Sequence, residues 1–372
     1  MGQTVQKCCN FQNIAIGPPK PEDKASLTMN GGAVVSKPGP RNNGMSTDER
    51  QKKIYKNKYE HVGKIGQGGF SKVFLVKHMA TNKLYALKKV SKRSFNASEN
   101  SITLENVMNE KNILLTVNHP FIIKFYSCFQ DEKNLYYVME YAKGGSISKY
   151  LQKQKYFSEN VVRFYSAEIL MALKALHFDY KVIYRDLKPD NCLLSEDGHI
   201  KLTDFGLSTI GKKYSTTGCG TPEFIAPEIL NHLPHNRMVD YWSFGCLLYL
   251  FLFGKYPFYD EDLQKQYEKI KKGHFIFPEK PFVSPEAKTL IKGLLKVNIT
   301  KRLGFNGIEE IMGSKFYSTI NWNDIYNKKL PAPITITESK LKDDKPEFSP
   351  VTNIKITGFT FEPLESRVSK IG

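Results

Sequence analysis

From residue 59 onward apolar and polar side chains alternate in short runs, and residues 70–78 and 84–90 read as β-strands, with Gly66-Gln67-Gly68-Gly69 at the first turn. Residues 105–117 change period. Val107, Ile113, Leu114 and Val117 fall at near-helical spacing, and His119-Pro120 ends the segment. Residues 121–129 and 135–141 return to strand character; after Gly144-Gly145 the pattern turns helical, most clearly over 159–177 and 238–253. The pattern predicts an α+β, bilobal molecule. A small β-rich lobe over about 58–140 contains one helix, and a larger, mainly α lobe follows over about 143–316, with a tail over 317–372.

Residues 1–57 are different: Gly31-Gly32, Lys37-Pro38-Gly39-Pro40 and Asn42-Asn43-Gly44 punctuate a stretch with neither period, which predicts a mostly disordered arm. Its start, Met1-Gly2 followed by Lys7, Cys8 and Cys9, resembles an acylation site, with Gly2 the candidate for myristate and Cys8 and Cys9 for palmitate. Gln6 stands where that pattern prefers Ser or Thr. One myristoyl chain binds membranes only marginally, so the thiols or the arm's lysines are needed as a second anchor. Fifty-four Lys and Arg against 37 Asp and Glu leave a net charge of +17, which favours anionic partners. Without zinc-finger spacing, Lys/Arg/Gly repeats or an aromatic RNA-binding strand, nucleic acid is not the expected one. The six cysteines (Cys8, Cys9, Cys128, Cys192, Cys219 and Cys246) show no metal-ligand spacing and fit a reducing compartment. The longest apolar run, 244–253, is broken by Gly245 and reads as a buried helix rather than a bilayer span. The expected location is cytoplasmic, peripheral on a membrane through the acylated arm.

The densest chemistry lies in Tyr184-Arg185-Asp186-Leu187-Lys188-Pro189-Asp190-Asn191, followed by Asp204-Phe205-Gly206. This pair of strings resembles a protein kinase catalytic loop and metal motif. It implies that Asp186 accepts the proton of an attacking hydroxyl, that Asn191 and Asp204 hold magnesium, and that Lys188 neutralises charge on the phosphoryl group in transit. Upstream, the Ile65-to-Val73 segment (Ile65, Gly66, Gln67, Gly68, Gly69, Phe70, Ser71, Lys72 and Val73) is a Gly-rich turn that lets backbone approach the phosphates of ATP. Ser71 replaces a third glycine, and Val73 is the apolar cover for adenine. Ala86-Leu87-Lys88 puts an amine on the next strand. Lys88 is preferred to Lys89 because alternation sets it on the face of Ala86, and Glu110, with Glu105 as competitor, is its expected partner. Residues 139–142, including Glu140 and Ala142, read as the hinge between lobes, and Leu193 completes the nucleotide set.

Together with Thr217-Gly218-Cys219-Gly220-Thr221-Pro222-Glu223-Phe224 and Ala226-Pro227-Glu228, and with Tyr184 in place of the commoner His, these residues resemble the AGC-type serine/threonine protein kinases. The resemblance runs continuously over about residues 59–322. It implies a protein-kinase-like fold, ATP and magnesium as cofactors, and protein substrates. Thr221 is placed beside the base, Asp240 as a brace of the catalytic loop, and Arg302 as the partner of Glu228. Thr217 becomes the activation-loop threonine, phosphorylated by an upstream kinase and read by Arg185; Thr209 replaces a lysine common there, with Lys212 or Lys213 as substitutes. Residues 356–361 resemble a hydrophobic motif in which Phe359 and Phe361 dock beside the Glu110 helix and Thr360 is phosphorylated, although Ile356 replaces its first aromatic residue. Ser349-Pro350 sits near a turn phosphosite. A separate regulatory subunit is a further partner. Basophilic relatives place carboxylates where this chain has Ser146 and Leu250, while Asp190 and Glu223 remain, which leaves the substrate preference open. The alternative is a pseudokinase scaffold; it predicts loss of Lys88, Asp186 or Asp204, and all three are present.

Overall fold

Strands β1 (Tyr59–Gln67), β2 (Ser71–His78), β3 (Leu84–Ser91), β4 (Phe125–Gln130) and β5 (Asn134–Glu140) form one antiparallel sheet in the order β1-β2-β3-β5-β4. The computed structural model describes residues 58–68, 71–95, 103–211, 220–336 and 356–362. Expectations that fall on the arm with Gly2, Cys8 and Cys9, on Gly69 and Phe70, on Thr217 and on Ser349-Pro350 lie outside them. The two-residue period sorts the sheet's side chains between its faces. Phe74, Val76, Leu87, Phe129, Tyr136 and Val138 form a cluster of their own, whereas Val90, Tyr137 and Met139 join the main core. Helix α1 (Leu104–Thr116) feeds that main core with Val107, Ile113 and Leu114, and Thr103 caps it by accepting from the Asn106 amide at 3.1 Å.

The second lobe carries α2 (Ile147–Gln154), α3 (Glu159–Lys174), α4 (Pro227–Leu230), α5 (Met238–Phe253), α6 (Leu263–Lys272) and α7 (Pro285–Leu294). All sixteen residues of α5 are buried. Gly245 explains how so apolar a helix is accommodated: a Cβ there would lie 2.9 Å from Leu294 Cβ, so glycine lets α5 and α7 approach closely. Gly254, with φ +67°, then ends α5 in the left-handed conformation. No helix among the described residues is long and apolar enough to cross a membrane. Short strands complete this lobe: β6 (Gly145–Ser146), β7 (Val182–Ile183), β8 (Cys192–Leu194), β9 (Ile200–Leu202) and β10 (Thr209–Ile210). Antiparallel pairing of Cys192 with Leu202 sets Asn191 and Thr203 side by side, the Thr203 amide donating to the Asn191 carbonyl at 3.1 Å. The hairpin thus delivers Asn191 and Asp204 to one place.

Three elements differ from the sequence pattern for physical reasons. The strand expected from residue 121 begins at Phe125, because Phe121 and Ile123 instead exchange backbone hydrogen bonds with Leu202 of β9 and tie the lobes together. The strand expected to end at Tyr141 stops at Glu140, where the chain starts towards the second lobe. The helix expected over 159–177 ends at Lys174 and continues as a π-helical turn, Ala175–Asp179. Such turns are frequent at functional sites, and this one includes His177.

Candidate active site

The residues of the 184–191 loop are held by donors that converge on one carboxylate. Asp186 Oδ1 accepts from Lys188 Nζ and Thr221 Oγ1, both at 3.0 Å, while Oδ2 accepts from Lys188 Nζ and Asn191 Nδ2, both at 2.8 Å. Lys188 also reaches Thr221 Oγ1 at 3.0 Å. The loop itself is anchored from below: Asp240, at the start of α5, accepts the Tyr184 amide at 2.9 Å and the Arg185 amide at 2.7 Å. His177 Nε2 lies 2.6 Å from the same carboxylate in a pair with no side-chain exposure. Sequence reasoning found Asp240 but not His177, since the helical pattern gave no sign of the π turn. Arg185 is held at φ +67°, a conformation an L-residue keeps only when its surroundings over-determine it. Its Nε donates to the Leu207 carbonyl at 2.6 Å. Arg302, as expected, pairs with Glu228 through two bonds of 2.7 and 2.9 Å deep in the lobe.

Above this loop Lys88 points inward from β3. Its ammonium lies 2.7 Å from Glu110 of α1 and 3.1 Å from Asp204. Burial opposes the charge on Lys88, but Asp204 and Glu110 outweigh it and push the lysine above its usual range. The Lys88 ammonium in turn holds Asp204 below the ordinary carboxylate range. Glu105 lies exposed in the first turn of α1, so Glu110 is the partner. Val73 is the register partner of both Gly66 and Lys88, and Ala86 pairs with Met139 at the sheet's exit to the hinge. Ile65 and Ser71 are half-buried, and Gly68 closes on Ser71 with an amide-to-carbonyl bond of 2.8 Å. Gln67 pairs with Lys72 across the same turn. Lys72 is exposed, its partner on β3 is Lys89, and alternation sets it on the side opposite Val73. At the hinge, the Ala142 carbonyl accepts the Gly145 amide at 3.0 Å, and Leu193 pairs with Ser146 and Lys201. Glu140 is 2.9 Å from Lys201 of β9, a hinge contact that no sequence motif signals.

Asn191 and Asp204 form a donor set suited to a hard cation. Asn191 donates twice through Nδ2, to the Asp186 carbonyl and carboxylate, so its amide oxygen is the atom it could offer a cation. Asp204 uses Oδ1 for Lys88 and the Gly206 amide, and its Oδ2 has no hydrogen-bond partner among the described residues. One carboxylate plus one amide oxygen suits magnesium, which takes few protein ligands and completes its shell with phosphate and water.

The tail segment reaches this apparatus from behind. Phe361 exchanges backbone hydrogen bonds of 3.0 and 2.8 Å with Cys128 of β4. Phe359 is fully buried and packs edge-on to Tyr137, with ring centroids 5.3 Å apart; Tyr137 in turn lies 5.9 Å from the Lys88 ammonium. Lys111, next to Glu110 on α1, donates to the Gly358 carbonyl. Ile356 is buried, with its amide and carbonyl both bound by the Gln130 side chain, so the missing aromatic is replaced by a smaller anchor. Thr360 is exposed. Burial pushes the Cys128 thiol up to about 12, against the pull of Lys111 and the Phe361 amide. Deleting residues 356–372 is therefore expected to speed alkylation of Cys128 at pH 8 by roughly tenfold or more, followed by peptide mass spectrometry. Equal rates with and without the tail would show that it does not guard this face.

A model of the protein kinase domain matches residues 59–317. A RAC family serine/threonine-protein kinase homolog of Dictyostelium discoideum is 40% identical over 313 residues, 83% of this chain and 68% of that protein. Human serine/threonine-protein kinase Sgk1 is 39% identical over 311 residues, 82% of this chain and 69% of its own. Human ribosomal protein S6 kinase alpha-3 is 39% identical over 315 residues, 82% of this chain but only 42% of its own length.

Proposed function

The chain belongs to the protein kinases, among the AGC-type serine/threonine enzymes, and from that membership we propose that it transfers the γ-phosphoryl group of ATP to Ser or Thr hydroxyls of other proteins. The observation that carries the proposal is the convergence of Lys188, Asn191 and Thr221 on the Asp186 carboxylate beneath the Lys88–Glu110–Asp204 cluster. Magnesium, when bound, supplies neutralising charge across the phosphates. Asp186 takes the proton of the incoming hydroxyl, and Lys188 sits 2.8 Å away, ready to offset negative charge on the group in transit. Lys88 steadies the phosphates of the nucleotide, held in register by Glu110. The Gly66-to-Val73 turn and the 139–142 hinge bracket the nucleotide. The direct test is magnesium-dependent incorporation of labelled phosphate into a basic test protein; its quantitative form is the Asp186 comparison argued in the Discussion.

Regulation follows from the same contacts. A phosphate on Thr217 would draw on the Arg185 guanidinium, one residue from the base, and so order the loop that presents Asp186. Thr209 cannot assist, being buried in its pairing with Ile183. A phosphate on exposed Thr360 would strengthen a docked tail that bears on Tyr137 and α1, and through them on the Lys88–Glu110 pair. The N-terminal arm supplies location: myristate on Gly2, with palmitate on Cys8 and Cys9, would hold the enzyme at an anionic membrane. Gly2→Ala is then expected to lower the bound fraction on phosphatidylserine vesicles by about tenfold or more, measured by co-sedimentation of protein made with a myristoyl donor. Undiminished binding in that variant would dismiss the acyl anchor.

A further inference from the structure

Near the Asp186 loop stand charged side chains of both signs that have no hydrogen-bond or ion-pair partner among the described residues. The negative ones are Asp190, exposed, and Glu223, half-buried. Both lie close enough to Tyr256 to act on it: burial, then Glu223 and Asp190, push its phenol up to about 12. The start of α2 adjoins the same loop. There the Ser146 hydroxyl donates to the Pro189 carbonyl at 2.9 Å and accepts the Ser148 amide at 3.1 Å, so the residue that caps α2 is also fastened to the catalytic loop. Pro189 lies directly between Lys188 and Asp190. The N-terminal turn of α2 is therefore a wall of the site itself.

Lys149 stands on that turn. A Cβ built on Gly145, which sits at φ +66°, would meet the Lys149 ammonium at 3.1 Å. The lysine is thus folded back over bare backbone towards the loop end of its helix, although an exposed lysine is free to extend into water. It makes no hydrogen bond or ion pair among the described residues. The same holds for Lys153, also exposed, one turn further along. Like charges at this spacing oppose helix formation, yet α2 keeps both and has no acidic residue in its first turn. A local conflict of that kind is most often found where a surface has work beyond folding.

We propose that Lys149 is a specificity residue that receives an anionic side chain of the protein substrate, a carboxylate or a phosphate, a few residues along the chain from the hydroxyl to be phosphorylated. The inference rests on the reading of this site as that of a protein kinase and adds the substrate class. An extended peptide advances about 3.3–3.6 Å per residue, so a residue roughly two to four places from the acceptor spans the distance from the base to a helix that abuts its loop. Carboxylate and phosphate are one chemistry for an ammonium. A phosphate carries nearly two charges at neutral pH and is the stronger ligand.

The test uses the full chain, wild type, Lys149→Ala and Lys149→Glu, with magnesium ATP and a peptide series around one serine. Each flanking position in turn carries Ala, Asp, phosphoserine or Arg, and kcat/KM is measured for every peptide. At one or two positions the wild type is expected to favour Asp over Ala by about two- to fivefold, and phosphoserine by more. In Lys149→Ala the ratio at those positions falls to near one, and in Lys149→Glu it inverts, with Arg now preferred. A wild-type ratio of one or less at every position, or ratios unchanged in both variants, would overturn the inference. So would a rise in the KM for ATP with peptide ratios intact, which would assign Lys149 to the nucleotide. A wild type that phosphorylates no peptide would instead overturn the underlying kinase reading, an outcome distinct from transfer without charge selection.

Discussion

Asp186→Asn is expected to lower kcat by about 10²- to 10⁴-fold, the usual worth of a positioned general base, while nucleotide affinity stays near that of the wild type. The substitution is close to isosteric, so its effect is chemical. Each oxygen of the native carboxylate accepts from Lys188, one also from Thr221 and the other also from Asn191. An amide keeps one acceptor and turns an N–H₂ group towards either Asn191 or Thr221, with the Lys188 ammonium against it in both cases. Proton acceptance is lost, and Lys188 must move. The Lys88–Glu110–Asp204 cluster makes no hydrogen bond to Asp186, so that part of the nucleotide machinery stays in place. Steady-state phosphate incorporation gives kcat, titration calorimetry with ATP gives affinity, and a melting curve confirms folding. Equal kcat for the two proteins would remove Asp186 as the base; a matching loss of ATP affinity would mean that it organises the nucleotide instead. Against a scaffold that signals by shape alone, wild-type turnover is the deciding quantity.

How much of this site the sequence disclosed depended on how local each relationship is. Asp186, Lys188 and Asn191 fall within six consecutive residues, and Asp204 follows one β-hairpin later, so contiguity made them readable. Lys88 was readable for a different reason: a two-residue period on β3 distinguishes it from Lys89, and Ala86 marks the inner face. The same period, applied to β2, sets Lys72 on the side opposite Val73. What stayed hidden involves partners far apart in sequence and without a periodic signature. His177 meets Asp240 across 63 residues through a π turn that helical spacing does not reveal. Glu140 meets Lys201 across the lobe junction, and the apolar run at 121–123 serves that junction rather than the sheet. Ile356 looked like a defect in a hydrophobic motif, yet Gln130, 226 residues away, binds its backbone on both sides.

The second large effect concerns stability. Arg302→Met is expected to destabilise the larger lobe by about 3–5 kcal/mol, the cost of leaving a buried charge without its partner. Arg302 and Glu228 have side chains almost wholly out of water and form a two-pronged pair, and the guanidinium also donates to the Met238 carbonyl at 2.8 Å and the Lys296 carbonyl at 2.9 Å while lying 5.1 Å from the Trp242 ring. Methionine restores bulk against Trp242 but strands the Glu228 carboxylate. Because both charges are deeply buried, desolvation already offsets much of their attraction, so the double variant Arg302→Met/Glu228→Leu is expected to recover part of the loss. Full recovery is not expected, because the Lys296 carbonyl loses its Arg302 donor, at a cost of about 1–3 kcal/mol. Thermal melting monitored by circular dichroism should rank wild type above the double variant, and the double variant above the single. If single and double variants melt together, the orphaned carboxylate is not the cause and the lost carbonyl bonds are. Glu228 lies on α4, directly after the segment that brings Thr221 to Asp186. The single variant should therefore lose activity at temperatures below its melting point, as that segment loosens before the lobe unfolds.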